Sequence, residues 1–284
     1  MDFRTAEGRQ RYDALVADAA KTVVGLDFDG VLSPIVDDPT QASIHPDGPE
    51  VLVELADQVR GIAVITGRPA RQAITLGSLD EVGVTIAERG HELFLLGQYG
   101  NERWSSGTRR VVSPRPPRGL GSFMSELPQM LRRHDAADAF VEEKGLAVAV
   151  HTRRLPDPRA AYDRLLPVLT DAASRFGLGV EPGRLVIEVR APGMHKGQAL
   201  RTIHDELGAH GVIFAGDDLG DIEAFRAVGE LRDEGAPALL ICSGSEEQKA
   251  LVELSDIVVD GPAGVLALLR QFARDAAAVH APAD

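Results

Sequence analysis

The sequence predicts an α/β protein: a three-layer core on a parallel sheet, interrupted by an α+β insertion. Three observations predict it. Short aliphatic and β-branched runs end abruptly in polar turns at residues 22–26, 61–65 and 211–215, which is how buried parallel strands read. Stretches of helical spacing separate these runs, so each strand is followed by a crossover back to the same sheet. Between residues 111 and 193 the pattern shifts to alternating apolar and polar positions, bracketed by a proline-rich stretch and by Pro192-Gly193.

In chain order, residues 1–21 are charged and amphipathic, a surface helix and not a signal peptide. Residues 22–26 form a strand because β-branched side chains fit a pleated, buried surface, and they deliver Asp27-Phe28-Asp29-Gly30-Val31 into a turn. A helix over 51–60 leads to the strand 61–65 and then to Thr66-Gly67-Arg68. Pro114, Pro116 and Pro117 punctuate a connector at 111–119. A helix over 121–134 follows, then runs at 139–142 and 146–153 whose alternation predicts paired antiparallel strands. Next come a helix over 158–176 and strands at 178–181 and 185–190. The last of these leads to Lys196-Gly197, which opens a helix over 196–207. Residues 211–215 make another core strand, ending in Gly216-Asp217-Asp218-Leu219-Gly220-Asp221. Residues 263–277 have helical spacing, and 278–284 are expected to be disordered. The expected division is a core of residues 1–106 and 192–284 with a domain inserted at 107–191.

Composition bounds what such a chain can do. At 284 residues it can bury one large core or two modest ones. Its 30 basic and 43 acidic residues leave a formal charge of −13, which excludes a general nucleic-acid or anionic-membrane binder, since either needs a basic face. No apolar run is long enough to span a bilayer. The single cysteine, Cys242, follows Leu239-Leu240-Ile241 and reads as a core residue, with the cytoplasm the expected compartment. The negative field would repel an anionic substrate unless local cations offset it.

Chemistry concentrates where the strands end, because ligands of such sheets bind beyond the carboxyl ends of the strands. Asp27 and Asp29 lie two apart and share a side, while Phe28 points to the other. Gly30 permits the sharp turn after them. Two acids this close at the end of a buried strand call for a cation, and Mg2+ favours such oxygen ligands. One acid could then attack as nucleophile while the other moves protons. Thr66-Gly67 and Lys196-Gly197 each stand where a strand gives way to a turn or helix, and Asp217 and Asp221 lie four apart on one side of a turn entering a helix. Each also has a plainer reading: a helix cap for Thr66, a solvated lysine, and acids that complement a helix macrodipole.

The segments around Asp27, Thr66, Lys196 and Asp217, in this order and spacing, resemble the four motifs of the haloacid dehalogenase (HAD) superfamily of phosphohydrolases. The resemblance spans most of the chain and implies a HAD-like, Rossmann-like core with an inserted α+β cap domain. It also implies roles. Asp27 attacks phosphorus and becomes an aspartyl-phosphate; Asp29 protonates the leaving oxygen and later activates water. Thr66 holds phosphoryl oxygens and Lys196 neutralises charge. Asp27, Asp217, Asp221 and the carbonyl of Asp29 bind Mg2+, with Asp218 an alternative ligand.

Outside those motifs, Ser33-Pro34-Ile35 with Pro39 and Ala42, Thr66-Gly67-Arg68, Val141-Glu142-Glu143-Lys144-Gly145 with His151 and Arg153, and Glu188-Val189-Arg190 are similar to trehalose-6-phosphate phosphatases. That likeness implies trehalose 6-phosphate as substrate and a functional link to trehalose-6-phosphate synthase, with a monomer expected. Gly67, Arg68, Glu92, Glu142, Lys144, Arg153 and Glu188 are the implied substrate contacts, and His151 and Arg190 are lesser candidates. Sucrose 6-phosphate and mannosyl-3-phosphoglycerate are rival substrates, and a non-catalytic sugar-phosphate sensor is the rival class. Three positions depart from the pattern. Val31 replaces a threonine and His195 an acid. Many relatives carry His-Gly and a nearby Glu after the third core strand. Residues 88–92 are assigned that place, with Arg89 for the histidine and Glu92 facing the substrate.

Overall fold

Val24 and Leu26 of the first strand, β1 (Thr22–Leu26), enter one apolar cluster while Val23 enters another. The same split recurs in β2 (Gly61–Ile65), where Ile62 and Val64 part from Ala63 and Ile65. A strand with an apolar layer on each face has no polar side to show, so its sequence is a continuous apolar run. The computed structural model describes residues 3–36, 38–193, 195–244 and 249–280. The chain divides into two compact units, Met1–Ser113 with His195–Asp284, and Pro114–Met194.

The first unit begins with α1 (Ala6–Ala17), β1, α2 (Gly48–Ala56), β2, α3 (Ala70–Leu76), α4 (Leu79–Glu88), β3 (Leu93–Gly97) and β4 (Glu102–Ser105). The second unit holds α5 (Leu120–Arg133), β5 (Phe140–Glu143), β6 (Ala147–His151), α6 (Pro158–Arg175), β7 (Gly179–Gly183) and β8 (Val186–Arg190). The first unit resumes with α7 (Lys196–Glu206), β9 (Gly211–Gly216), α8 (Ile222–Asp233), β10 (Ala238–Ser243), α9 (Lys249–Leu254), β11 (Ile257–Val259) and α10 (Gly261–His280).

The first unit's sheet runs β11-β10-β9-β1-β2-β3-β4. Its pairings are parallel except β3 with β4; the turn Gln98–Gly100 between those two is too short for a parallel crossover. Leu15, Leu52, Val82 and Leu266 from α1, α2, α4 and α10 cover one face, and Leu200 and Phe225 from α7 and α8 cover the other. In the second unit four antiparallel strands run β5-β6-β8-β7. Val148, Val150, Ile187 and Val189 of that sheet share a core with Phe123 and Leu127 of α5 and Leu165 and Leu169 of α6.

Several expectations need amendment. Residues 107–113 stay with the first unit, where Arg103 and Val112 exchange two backbone hydrogen bonds of 2.9 and 2.7 Å. The run ahead of Lys196 forms β8, which is antiparallel and belongs to the second unit. Helix α10 continues to His280, past the predicted start of disorder at 278, and 281–284 lie outside the described residues. Cys242 is fully buried, and its thiol is pushed up to about 11 by burial and then by Asp217 and Asp221, as an inert core group. Among the described residues no helix is long and apolar enough to cross a membrane.

Candidate active site

Asp27 leaves β1 at its carboxyl end, still tied to the sheet by its N–H on the carbonyl of Ala215 (3.0 Å). The chain then turns: Gly30 donates to the Ser33 carbonyl (2.7 Å) with φ of +71°. The neighbouring strand β9 ends at Gly216 and is followed by Asp217, and a capping box formed by Asp218 and Asp221 starts the next helical turn. Both strands end at the same edge because β1 and β9 pair in parallel from Thr22–Gly211 to Leu26–Ala215. The result is a group of three buried carboxylates, Asp27, Asp217 and Asp221, with one oxygen from each within 4.8 Å of the others.

Lys196 completes the group. It is the first residue of α7, and its Nζ lies 2.7 Å from Asp27 Oδ1 and 2.8 Å from Asp221 Oδ1. His195 caps this helix, its Nδ1 accepting the Gln198 N–H at 3.3 Å, so the departure from an acid at this position keeps a capping acceptor. The adjacent Gly197 is required by packing: a Cβ there would stand 2.2 Å from the Glu223 carbonyl oxygen of α8.

The electrostatics follow from burial. Asp27 is raised well above the usual carboxylate range by burial and then by Asp221, against the pull of Lys196. Burial followed by Asp218 and Asp221 pushes Asp217 up to about 8. Desolvation alone would lower Lys196, yet Asp221 and Asp27 overcome it and hold the ammonium well above its ordinary value. Three carboxylates against one ammonium leave a formal charge of −2 among groups cut off from water. A hard divalent cation matches both that charge and the all-oxygen donor set, so Asp27, Asp217 and Asp221 fit Mg2+.

Asp29 stands apart from this group. Its carboxylate is held by the Arg68 guanidinium in a two-pronged pair, Nε to Oδ2 and Nη2 to Oδ1, both 2.7 Å. Arg68 also donates to the Pro39 carbonyl (2.8 Å), and its guanidinium lies 5.8 Å from the Phe28 ring centre. Arg68, an expected substrate contact, is engaged in this structure with Asp29. Thr66 is buried, and its hydroxyl accepts the Arg68 N–H at 3.1 Å. Gly67 lies beneath Tyr99, where a Cβ would be 2.8 Å from the ring. The helix after this loop, α3, begins only at Ala70.

Glu92 is a correction. Residues 88–92 precede β3 and do not follow it, since Leu93 pairs with Ile62 at the amino ends of both strands. Glu92 therefore lies at the opposite edge of the sheet from Asp27, and Arg89 bonds Asp57 there (2.6 Å). The segment that follows β3 is Gln98-Tyr99-Gly100-Asn101-Glu102, with Tyr99 in the histidine place. Tyr99 N–H donates to the Thr66 carbonyl (2.9 Å), and Glu102 Oε2 accepts the Ala70 N–H (2.6 Å). The missed signal was the apolar run Leu93-Phe94-Leu95-Leu96, which marks the strand. Ser243 was missed too: at the end of β10 its hydroxyl donates to the Gly30 carbonyl.

In the second unit, Glu142, Ala149, Glu188 and Glu181 form one cross-strand row, and Ala147 and Arg190 stand in the next. Lys144, two residues after Glu142, bonds Glu188 (2.6 Å), and Glu142 meets His151 Nε2 at 2.9 Å. Arg153 is exposed, beyond the end of β6.

Comparison with known proteins agrees with this geometry. An uncharacterized glycosyl hydrolase of Mycobacterium tuberculosis is 34% identical over 73% of this chain and 15% of its own length. A trehalose-phosphate phosphatase of the same organism is 31% identical over 92% of this chain and 63% of its own. The chain thus spans less than two thirds of these curated relatives. Among solved structures, the C. albicans trehalose-6-phosphate phosphatase C-terminal domain superposes with a TM-score of 0.75 at 18% identity, covering 96% of this chain and 98% of that one; this is a likeness of fold. The trehalose-phosphatase family model matches residues 25–257, a stretch that contains Asp27, Lys196, Asp217 and Asp221, and the chain belongs to that family.

Proposed function

We propose that the protein hydrolyses trehalose 6-phosphate to trehalose and phosphate, by way of a phosphoryl group carried on Asp27 and with Mg2+ as cofactor. The observation that carries this reading is the buried group of three carboxylates and Lys196 at the carboxyl edge of the parallel sheet, in a chain of the trehalose-phosphatase family. Mg2+ held by Asp27, Asp217 and Asp221, with the carbonyl of Asp29, would offset carboxylate charge and polarise the phosphoryl oxygens.

The chain's own groups supply the rest. Oδ1 of Asp27 takes hydrogen bonds from Lys196 and from the Phe28 N–H (2.7 Å each), which leaves Oδ2 to attack. As the Asp27–phosphorus bond forms, the ester bond to the sugar oxygen breaks, and Asp29 gives that oxygen a proton. In its two-pronged pair with Arg68 the Asp29 carboxylate is ionised and oriented; it takes up that proton from water once one oxygen is released from Arg68. Water then attacks the same phosphorus, Asp29 takes its proton, and phosphate leaves Asp27 free. Thr66 and the Gly67 N–H would steady the phosphoryl oxygens, and Lys196 balances their charge. For the sugar, Glu142, Lys144 and Glu188 are the proposed hydroxyl ligands, because paired hydrogen bonds reject an isomer that leaves buried polar groups unmet.

The test is phosphate release with Mg2+ from trehalose 6-phosphate, sucrose 6-phosphate, glucose 6-phosphate and mannosyl-3-phosphoglycerate, with Asp27→Asn as blank. A preference for trehalose 6-phosphate of about a hundredfold or more supports the reading. Even activity across the panel keeps a phosphatase and discards the substrate; no release above the blank discards both.

A further inference from the structure

Phe140 is the first residue of β5, and its ring is 45% exposed. Strand alternation explains the exposure: Val141 turns inward to the core shared with α5 and α6, so Phe140, Glu142 and Lys144 face the other way. A large apolar ring thus stands on the polar face of the sheet. Directly across from it is His151, with ring centres 5.4 Å apart, and the Arg154 guanidinium lies 5.2 Å from the Phe140 ring centre. Beside this aromatic end the same face has a floor of two small residues, Ala147 and Ala149, between Glu142 on one side and Glu188 and Arg190 on the other. Such a surface offers an apolar plate, a low floor and hydrogen-bonding walls.

We propose that Phe140, oriented by His151 and Arg154, is a stacking platform for the C–H face of a pyranose ring. The inference rests on the sugar-phosphate reading and adds to it a specificity-determining residue. A pyranose has the matching chemistry, with C–H groups on its faces and hydroxyls around its rim. Stacking covers the exposed ring while Glu142, two residues along the same strand, reaches the rim hydroxyls. Neither a small phosphate ester nor free phosphate has such a face to cover.

The experiment compares the full chain with Phe140→Ala, Phe140→Leu and Phe140→Trp. The ratio of kcat/KM for trehalose 6-phosphate to that for p-nitrophenyl phosphate should fall about three- to tenfold in the alanine and leucine variants, through KM for the sugar phosphate. Tryptophan should restore it. If leucine restores the ratio as well as tryptophan, or if both substrates lose equally, Phe140 only supports the fold and the proposal is overturned. Saturation-transfer NMR with trehalose and the same proteins needs no turnover. Sugar C–H signals present in the wild type and lost in Phe140→Ala support the platform even if the chain fails to hydrolyse the phosphate. Signals unchanged by the substitution, or absent from the wild type, remove it.

Discussion

Gly30 and Asp217 come so close that no methyl group fits between them. A Cβ on Gly30 would lie 2.3 Å from Asp217 Cγ, and the backbone φ of +71° disfavours any other residue. Gly30→Ala should displace Asp217, so the Mg2+ concentration needed for half-maximal phosphate release should rise at least about tenfold with the far-UV circular dichroism unchanged; an unaltered Mg2+ requirement would remove Asp217 from the proposed metal site. Asp27→Asn should cut turnover on the order of a thousandfold or more while sugar-phosphate binding persists, and residual activity near wild type would refute the nucleophile. Arg68→Ala is expected to lower kcat more than it raises KM, since it frees Asp29 and leaves the buried group intact. Arg68→Lys keeps the charge but not the two-pronged grip, and should recover only part. A KM effect with kcat preserved would return Arg68 to the substrate. That Asp27, Asp217 and Asp221 come together was expected from the order of the motifs that resemble the HAD superfamily, while Asp29, two residues after Asp27, stands apart. The Asp29–Arg68 pair was not legible in the sequence, because it joins residues brought together only by the pairing of β1 with β2.

At the scale of elements, Asp256 shows how the first unit holds its amino-terminal helix. This buried carboxylate, just ahead of β11, accepts Arg11 of α1 (2.5 Å), Arg232 of α8 (2.7 Å) and the Leu240 N–H of β10 (2.9 Å). Its carbonyl accepts the Arg4 N–H at 2.9 Å. Removing one partner of a buried ion pair leaves the others desolvated and unmet. Asp256→Ala should therefore cost about 3 kcal/mol, the low end of the range because Arg11 is 32% exposed. In urea the midpoint should fall with the slope unchanged, and a shift smaller than about 1 kcal/mol would reduce the cluster to surface decoration. Most strands and helices were legible as runs and periods, but one feature was not. The antiparallel β4 has a mixed sequence, Glu102-Arg103-Trp104-Ser105, set by pairing with β3 and not by its own pattern.

For the whole molecule the governing quantity is charge, −13 overall and −2 within the group of Asp27, Asp217, Asp221 and Lys196. In the metal-free protein Asp217 is pushed from 3.8 up to about 8, first by burial and then by its acidic neighbours, and Asp27 moves in the same direction. An acid raised on folding binds its proton more tightly in the folded state. Its contribution to stability is therefore complete below its unfolded pKa and is lost as pH rises through the folded value. Between pH 6 and 8.5 the metal-free protein should thus melt at progressively lower temperature. Mg2+ reverses the sign, because it binds the ionised carboxylates and competes with the proton. The gain in melting temperature on adding Mg2+ should be larger at pH 8.5 than at pH 6, with NaCl at matched ionic strength giving little. Asp217→Asn removes one ionisation and should flatten the metal-free pH dependence as well as the Mg2+ gain. Scanning calorimetry on both proteins at the two pH values decides the matter. Equal Mg2+ increments at both, with the same slope in Asp217→Asn, would mean that these carboxylates neither hold the ion nor set the acid–base balance of the fold.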